Sequence, residues 1–389
     1  MGTQDTLLVM HGGGPTAVIN ASLFGAVDEA LRTPEAGRVL GALGGVGGIL
    51  DGRFVDFGTV SRETLALLPH SPSSAIGTSR KPLEEKDYRA LAHALKREHV
   101  RWLLPTGGNG TMNTCGEIWR ACRAEGVNID VVGIPKTMDN DIAVTDHAPG
   151  YASAALYMAA SVSEVCCDVR GLPIHIVIVE AMGRNAGWVT AASALADESG
   201  TGGPDLIYLP ERDFDEDQFL ESCQELIDEK GSGIVVVSEG LHKKGGVPVA
   251  PLLMETGRSR YFGDVSAHLA RLVVQKLGYK ARSEKPGLLG RASMPWQSAV
   301  DREEAVQCGR EAVRAALEGD SGKMVGIERV SSAPYAVRYV RIPIEQVMLD
   351  ERTLPDRYIN AAGNGVTEEF RSWLRPLLGQ DLPRFASFV

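Results

Sequence analysis

The loop from 133 to 141 carries the densest set of chemically capable side chains in the sequence. It reads Gly-Ile-Pro-Lys-Thr-Met-Asp-Asn-Asp and follows a short apolar run. It offers a cation, Lys136, a hydroxyl, Thr137, and two carboxylates, Asp139 and Asp141. Phosphoryl transfer uses such a set, because a base accepts a hydroxyl proton while a metal ion and a cation offset phosphoryl charge. We expect Asp139 to be the base, Asp141 to hold magnesium and Lys136 to offset the charge.

Three other loops place glycine and polar side chains directly after an apolar run. His11 to Thr16 reads His-Gly-Gly-Gly-Pro-Thr, and Pro105 to Thr111 reads Pro-Thr-Gly-Gly-Asn-Gly-Thr. Bare backbone N–H groups bind anions, and hydroxyl and amide oxygens suit phosphate or a metal shell. Glu180 to Arg184 reads Glu-Ala-Met-Gly-Arg, in which a guanidinium beside glycine suits phosphate or carboxylate. Each of these three loops also has a purely structural interpretation as a turn.

The elements that must position these loops are short apolar runs and the amphipathic segments between them. The runs predict strands buried on both faces at Leu7 to Met10, Trp102 to Leu104, Val131 to Ile134, Ile174 to Val179 and Ile234 to Val237. The amphipathic segments predict helices at Ala17 to Leu31, Glu84 to Lys96, Ser153 to Val165 and Phe214 to Glu229. This alternation predicts an α/β fold, in which ligands bind at the carboxyl ends of the strands.

Length and composition predict a two-domain, cytoplasmic enzyme. A chain of 389 residues with 44% hydrophobic residues favours two cores, one from 1–150 with about 287–341 and one from 151–286, and leaves the placement of 342–389 open. A formal net charge of -10 without a basic stripe argues against nucleic acid. Six cysteines without CxxC spacing indicate reduced thiols. We identify no basic leader and no apolar stretch near the ~20 residues of a membrane span.

Together and in this order, the four loops resemble those of the phosphofructokinase family, over residues 5 to 330. The run Pro-Lys-Thr-x-Asp-Asn-Asp at 135 to 141 and the triplet Met-Gly-Arg are the most specific parts of this resemblance. It implies two doubly wound, mainly parallel-sheet domains, a donor-binding domain and a sugar domain. It also implies glycolytic, magnesium-dependent transfer from ATP or pyrophosphate to the 1-hydroxyl of fructose 6-phosphate or a related sugar. A homodimer or homotetramer would complete each site with residues of a neighbour.

The resemblance also implies a role for individual residues. Asp139 would be the base, and the sugar contacts would be Thr137, Asp141, Met182, Gly183, Arg184 and Glu239. The phosphoryl donor would lie against Gly13, Arg80, Gly107, Gly108, Asn109, Gly110 and Thr111. Asn109 and Asp141 would hold the magnesium ion, and Arg80 with Lys136 would stabilise the transferring group.

Two residues give opposite indications about the donor. Family members that use ATP usually have glycine where Gly110 stands, whereas pyrophosphate users carry an aspartate that fills the place of the α-phosphate. Lys136, in contrast, is typical of pyrophosphate users, although some ATP users share it. We expect ATP to be favoured, with pyrophosphate as the alternative.

Three positions depart from the family pattern. Asn109 replaces an aspartate that helps to hold magnesium, and His175 replaces an arginine that reaches a neighbour's sugar 6-phosphate. Leu288 replaces a histidine of that phosphate pocket, in which Arg282 and Arg291 remain. These changes leave open another sugar or polyol as acceptor, or a catalytically weak regulatory or binding paralogue. A nicotinamide-dependent oxidoreductase is disfavoured, since no GxGxxG turn follows the first strand.

Overall fold

The computed structural model describes residues 5–172, 175–200, 202–256, 259–348 and 351–388. The chain forms two compact units. Unit 1 comprises Met1–Tyr151 and Arg291–Arg352, and unit 2 comprises Ala152–Gly290 and Thr353–Val389. The segment from 353 onward, whose placement the sequence left open, thus belongs to unit 2.

The strands and helices are numbered in chain order. The strands are β1 (Thr6–His11), β2 (Arg38–Ala42), β3 (Phe54–Asp56), β4 (Val100–Gly107), β5 (Asp130–Pro135), β6 (Ile176–Ala181), β7 (Leu206–Tyr208), β8 (Gly233–Ser238), β9 (His242–Lys243), β10 (Val247–Pro248), β11 (Leu252–Thr256), β12 (Ser259–Phe262), β13 (Ala281–Glu284), β14 (Lys323–Ser332) and β15 (Tyr335–Pro343). The helices are α1 (Ile19–Ala30), α2 (Val46–Asp51), α3 (Arg62–Ala66), α4 (Glu85–Arg97), α5 (Asn109–Ala124), α6 (Tyr151–Gly171), α7 (Trp188–Ala192), α8 (Glu216–Lys230), α9 (Val265–Leu277), α10 (Leu289–Ala292), α11 (Ala299–Leu317) and α12 (Glu368–Leu374).

The described strands of unit 1 form one sheet in the order β15-β14-β5-β4-β1-β2-β3. The pairs β1–β2, β1–β4, β4–β5 and β5–β14 are parallel, and β3 and β15 are antiparallel to their neighbours. Leu7 and Val9 of β1 join a core with α1 and α11, whereas Leu8 and Met10 join a core with α2, α4 and α5. Burial on both faces is the reason that β1 reads as a continuous apolar run.

The described strands of unit 2 form a parallel sheet in the order β13-β6-β8-β7, beside the antiparallel pairs β9–β10 and β11–β12. Ile176 and Ile178 of β6 share a core with Phe219 of α8 and Leu269 of α9. The doubly wound, mainly parallel α/β class predicted from the sequence is therefore confirmed.

The C-terminal segment enters unit 2 through a cluster of aromatic side chains. The ring of Trp188 in α7 lies 5.0 Å from that of Trp373, 6.0 Å from that of Tyr358 and 6.4 Å from that of Phe370, measured between ring centroids. Such aromatic contacts stabilise a core beyond their buried area. The segment is thus part of the hydrophobic interior of unit 2.

Most of the predicted elements appear at the predicted places. Ile174, where the predicted fourth strand begins, lies outside the described residues, as do Met1 to Gln4, where no basic leader is expected. The expectation that no apolar stretch approaches the length of a membrane span is wrong for α6, which is long and apolar enough. Because 67% of its apolar window is buried, α6 has the character of a core helix.

Candidate active site

Numbered in chain order, the four predicted loops are 11–16, 105–111, 133–141 and 180–184. The first three lie side by side in unit 1, because β1, β4 and β5 are parallel neighbours. Hydrogen bonds join them: the N–H of Gly12 donates to the carbonyl of Thr106 at 2.9 Å, and the N–H of Lys136 donates to the carbonyl of Gly107 at 3.0 Å. Arg80 comes to the same edge, since the neighbouring Ser79 accepts from the N–H of Gly13 at 3.1 Å. The carboxyl edge of this sheet therefore gathers the residues predicted to meet the phosphoryl donor.

Glycine is required where the first two loops approach each other. A Cβ atom at Gly12 would lie 2.3 Å from the hydroxyl oxygen of Thr111, and one at Gly107 would lie 2.1 Å from it. Gly13 has φ +76°, which glycine adopts without strain. Thr111 is buried against the two glycines. Its side chain thus packs the loops together, and its contact with a donor stays a prediction.

The loop after β5 is held by a side chain of its own. The hydroxyl of Thr137 donates to Asp141 Oδ1 at 2.7 Å and accepts from the N–H of Asp139 at 3.0 Å. Asn140 has φ +52°, and its Oδ1 accepts from the N–H of Ala148 at 3.1 Å. These bonds fix the turn that carries the two carboxylates, so that Asp139 is presented from an ordered backbone.

Asn109 connects the second loop to the third. Its Nδ2 donates to the backbone carbonyl of Asp141 at 3.0 Å and to Asp141 Oδ2 at 3.2 Å. Its Oδ1 is buried and accepts no hydrogen bond from the residues that the structure describes. An amide oxygen without a donor beside a carboxylate fits a hard cation such as Mg²⁺, which binds one or two protein oxygens together with substrate phosphates.

Lys136 is a buried cation at the centre of this edge. Only 4% of the residue is exposed, and its Nζ donates to the carbonyl oxygen of Gly14. Burial lowers the pKa of Lys136 to about 8, Arg291 and Arg80 contribute in the same direction, and the carboxylates of Asp141 and Asp139 oppose it. The lysine therefore carries its charge at neutral pH in a place with little water.

Two arginines converge on the first loop. A Cβ atom at Gly14 would lie 2.6 Å from Arg291 Nη1 and 3.1 Å from Arg80 Nη2. Burial, together with the charge of Arg80, lowers the pKa of Arg291. Like charges held close to one another in this way stabilise an anion placed between them. Three cationic groups, Lys136, Arg80 and Arg291, thus converge on the first glycine loop.

The fourth loop borders a cavity of 580 Å³ in unit 2, which Arg184 and Glu239 line. Gly183, with φ +118°, directs its N–H to Glu239 Oε1 at 3.4 Å, and its carbonyl accepts from Ser238 Oγ at 2.6 Å. Met182 is half-buried at the end of β6. Two residues that the sequence assigns to the sugar thus share one concave site.

A comparison with protein-family models matches residues 6–316 to the phosphofructokinase model. The chain belongs to the phosphofructokinase family. It is 38% identical, over 98% of this chain and 96% of the relative, to pyrophosphate–fructose 6-phosphate 1-phosphotransferase of Rhodospirillum rubrum. It is 34% identical to sulfofructose kinase of Alkalicoccus urumqiensis, over 95% and 94% of the two chains. The crystal structure of pyrophosphate-dependent phosphofructokinase from Nitrosospira multiformis superposes with a TM-score of 0.89 at 31% identity, covering 100% of this chain and 95% of that one.

The prediction that ATP is favoured over pyrophosphate is contradicted by these members of the phosphofructokinase family. Four relatives that are 32–38% identical are named as pyrophosphate enzymes. The structure offers a physical reason for the error. Gly110 is exposed, and within the described part of the chain no atom lies within 4 Å of the position of a Cβ there. An open space admits a large donor without requiring one. The buried Lys136, in contrast, is the residue type that is typical of pyrophosphate users.

The residues assigned to the sugar 6-phosphate do not all lie together. His175 directly precedes β6, and Arg282 pairs with Val177 at the start of the same strand. Arg184 follows the other end of β6, and six residues of strand span about 20 Å. Within one chain, His175 and Arg282 therefore do not line the cavity that Arg184 lines. Arg291 belongs to unit 1, and Leu288 is 64% exposed.

Sequence reasoning missed Lys285, which also lines the cavity of unit 2, and gave no role to Glu180. Lys285 directly follows β13, at the edge where the ligands of parallel sheets bind. The signal was weak, because β13 reads Ala-Arg-Ser-Glu and shows no apolar run. A residue after a strand is a candidate only once the strand itself has been recognised.

Proposed function

We propose that this protein transfers a phosphoryl group from pyrophosphate to the 1-hydroxyl of fructose 6-phosphate. The observation that carries this proposal is the similarity, over 96–98% of this chain at 32–38% identity, to four relatives of that name. The geometry of unit 1 supports it, since Lys136, Arg80 and Arg291 converge on a glycine loop, and such cations and backbone N–H groups suit phosphate oxygens.

Each group in unit 1 then has a chemical task. The carboxylate of Asp139 acts as the general base that accepts the proton of the 1-hydroxyl. The hydroxyl of Thr137 holds the turn that carries this carboxylate. Lys136 and the two arginines offset the charge of the phosphoryl group as it leaves one oxygen and joins another. No covalent intermediate is needed, since the transfer depends on position and charge.

A magnesium ion fits the oxygens of Asn109 and Asp141. When bound, it would neutralise part of the charge on the phosphate oxygens. Asn109 is a neutral ligand where the family usually has a carboxylate, so the ion would depend more on Asp141 and on the donor. In the described residues no group of three or more His, Cys, Asp or Glu side chains forms a metal cluster. A magnesium ion that binds substrate phosphates needs only one or two protein ligands.

We further propose a cytoplasmic homo-oligomer, a homodimer or homotetramer, in which one subunit completes the acceptor site of another. This is supported by the position of His175 and Arg282 at the opposite end of β6 from Arg184. A cytoplasmic location agrees with the six free cysteines. The assembly can be checked by analytical ultracentrifugation of the purified protein.

The test of this function is a two-by-two assay of fructose 6-phosphate phosphorylation with pyrophosphate or ATP, each with and without Mg²⁺. We expect turnover with pyrophosphate and Mg²⁺, at least about tenfold above turnover with ATP. Turnover with ATP but not with pyrophosphate would contradict the donor assignment. If neither donor supports turnover of fructose 6-phosphate, but a panel with sulfofructose and other sugars gives a substrate, the donor chemistry stands and the acceptor assignment is wrong.

A further inference from the structure

The cavity of unit 2 contains an ion pair that the family resemblance does not assign. Strands β6 and β13 run parallel, with Glu284 opposite Val179, so that Lys285 and Glu180 follow as neighbours. Lys285 Nζ lies 2.8 Å from Glu180 Oε1, and both residues line the cavity together with Arg184 and Glu239.

The carboxylate of Glu180 is fully committed to protein partners. Its side chain is 2% exposed, and its second oxygen accepts from the N–H of Ser266 at 2.9 Å and from Ser266 Oγ at 3.2 Å. A buried carboxylate is stable only when charge and hydrogen bonds compensate it. Glu180 therefore fixes the ammonium of Lys285 at one position on the cavity wall.

Lys285 retains capacity for a ligand. Its side chain is 38% exposed, and its ammonium has three N–H donors. Two carboxylates in the described residues, Glu180 and Asp264, take one donor each. Burial lowers the pKa of Lys285, but these carboxylates outweigh that effect and raise it to about 12. The ammonium of Lys285 therefore stays protonated around neutral pH, and its third N–H can donate to a ligand.

The charge of the cavity indicates which part of a ligand it receives. The Arg, Lys and Glu side chains that line it are Arg184, Lys285, Glu180 and Glu239, whose formal charges sum to zero. A phosphate dianion requires an excess of positive charge. Hydroxyl groups both donate and accept hydrogen bonds, so they suit a wall that carries the cationic donors of Arg184 and Lys285 beside the carboxylate of Glu239. The cavity is thus matched to the uncharged, hydroxyl-bearing part of a sugar.

We propose that Lys285 is a specificity-determining residue of the acceptor site, which donates its third N–H to a ring hydroxyl of the sugar. The inference rests on the proposed function, in that it takes fructose 6-phosphate as the acceptor. It adds a residue that selects among sugars by the orientation of one hydroxyl group.

The test measures equilibrium binding by calorimetry without any phosphoryl donor. Fructose 6-phosphate and its epimers at C3 and C4 are titrated into the wild type and Lys285→Met. We expect the variant to bind fructose 6-phosphate at least about tenfold more weakly. The wild type should prefer fructose 6-phosphate over the epimer whose inverted hydroxyl cannot reach Lys285, and this preference should shrink at least about fivefold in the variant.

Two comparisons separate this role from a structural one. Lys230→Met is the matched control, because Lys230 pairs with Asp205 in unit 2 and does not line the cavity. If Lys285→Met does not fold, Glu180→Gln is compared with Glu180→Gln/Lys285→Met, in which no buried charge is left uncompensated. In steady-state kinetics the KM for fructose 6-phosphate should rise, with a smaller change in kcat.

Binding of fructose 6-phosphate with equal affinity by wild type and variant would overturn the role of Lys285 and leave the proposed function intact. An equal loss for all three sugars would also overturn it, since the lysine would then not read a hydroxyl. If the wild type itself binds no fructose 6-phosphate, the acceptor in the proposed function is wrong, and this inference is wrong with it.

Discussion

The ammonium of Lys136, after β5, donates a hydrogen bond to the carbonyl oxygen of Gly14, after β1. The bond places a buried cation against the first glycine loop, where Arg80 and Arg291 also converge. Burying an ammonium costs stability, and the nearby carboxylates of Asp141 and Asp139 compensate part of that cost. We therefore predict that Lys136 serves function more than stability.

Replacement of Lys136 by Met should separate these two effects. We expect kcat/KM for pyrophosphate to fall at least about 100-fold, since a positioned charge at the transferring group is lost. The urea midpoint of unfolding should stay the same or rise, because Lys136 bonds to a backbone carbonyl and its replacement removes the desolvation cost of a buried ammonium. Lys81→Met, an exposed lysine of the loop after Arg80, is the control and should change neither quantity. A variant that retains wild-type kcat/KM would refute the role of Lys136.

Replacement of Asp139 by Asn should remove the base and keep the fold. We expect kcat to fall at least about 100-fold, with unchanged binding of fructose 6-phosphate in calorimetry. The circular dichroism spectrum should be that of the wild type, because Thr137 Oγ1 still accepts the backbone N–H at position 139. Near wild-type turnover would exclude Asp139 as the base.

Gly110 offers a test of how the donor is selected. The glycine is exposed in the first turn of α5, and a Cβ atom there would have no atom of the described residues within 4 Å. Gly110→Asp should therefore fold with unchanged or slightly higher stability, since an acidic residue is favourable in the first turn of a helix. We expect residual ATP turnover to fall at least about tenfold, while pyrophosphate turnover changes less than about threefold. Equal losses with both donors would show that position 110 does not distinguish them.

His147 predicts a dependence of stability on pH. Its side chain is fully buried, with Nδ1 2.8 Å from Asp146 Oδ2 and Nε2 2.6 Å from Glu304 Oε2. Burial alone would lower the pKa of His147, but the charge of Glu304 and the hydrogen bonds to both carboxylates raise it to about 9. Because this pKa exceeds that of the unfolded chain, the stabilisation is complete below pH 6.5 and is lost as pH rises through 9.

The measurement compares the wild type with His147→Gln in urea between pH 7 and pH 10. At pH 7 the variant should be less stable by about 3 kcal/mol, as for other broken buried ion pairs. The difference should narrow from pH 7 to pH 9 and level off above pH 9, where the histidine is neutral in both the folded and the unfolded wild type. The difference is the quantity to follow, because Lys136, whose pKa is lowered, contributes with the opposite sign. A difference that does not vary with pH would mean that His147 is neutral in the folded protein.

The sequence was most informative where local chemistry and strand burial coincide. The loop 135–141 follows a strand buried on both faces, so that both the strand and its functional residues were evident. Lys285 was missed because β13 is a short, polar strand whose pairing with β6 depends on a distant part of the chain. The donor was predicted wrongly because the small size of Gly110 was taken as a preference, although an open space excludes nothing.

By itself, the sequence determined the α/β class, the order of the glycine loops and the residue types needed for phosphoryl transfer. These properties are local, since hydrophobic period, turn residues and motifs act over a few positions. Only the tertiary structure decided that Lys136 reaches Gly14, that Asn109 joins Asp141, and that Lys285 faces the same cavity as Arg184. Each of these depends on which strands become neighbours and in which direction they run, and that is decided by packing the whole sheet.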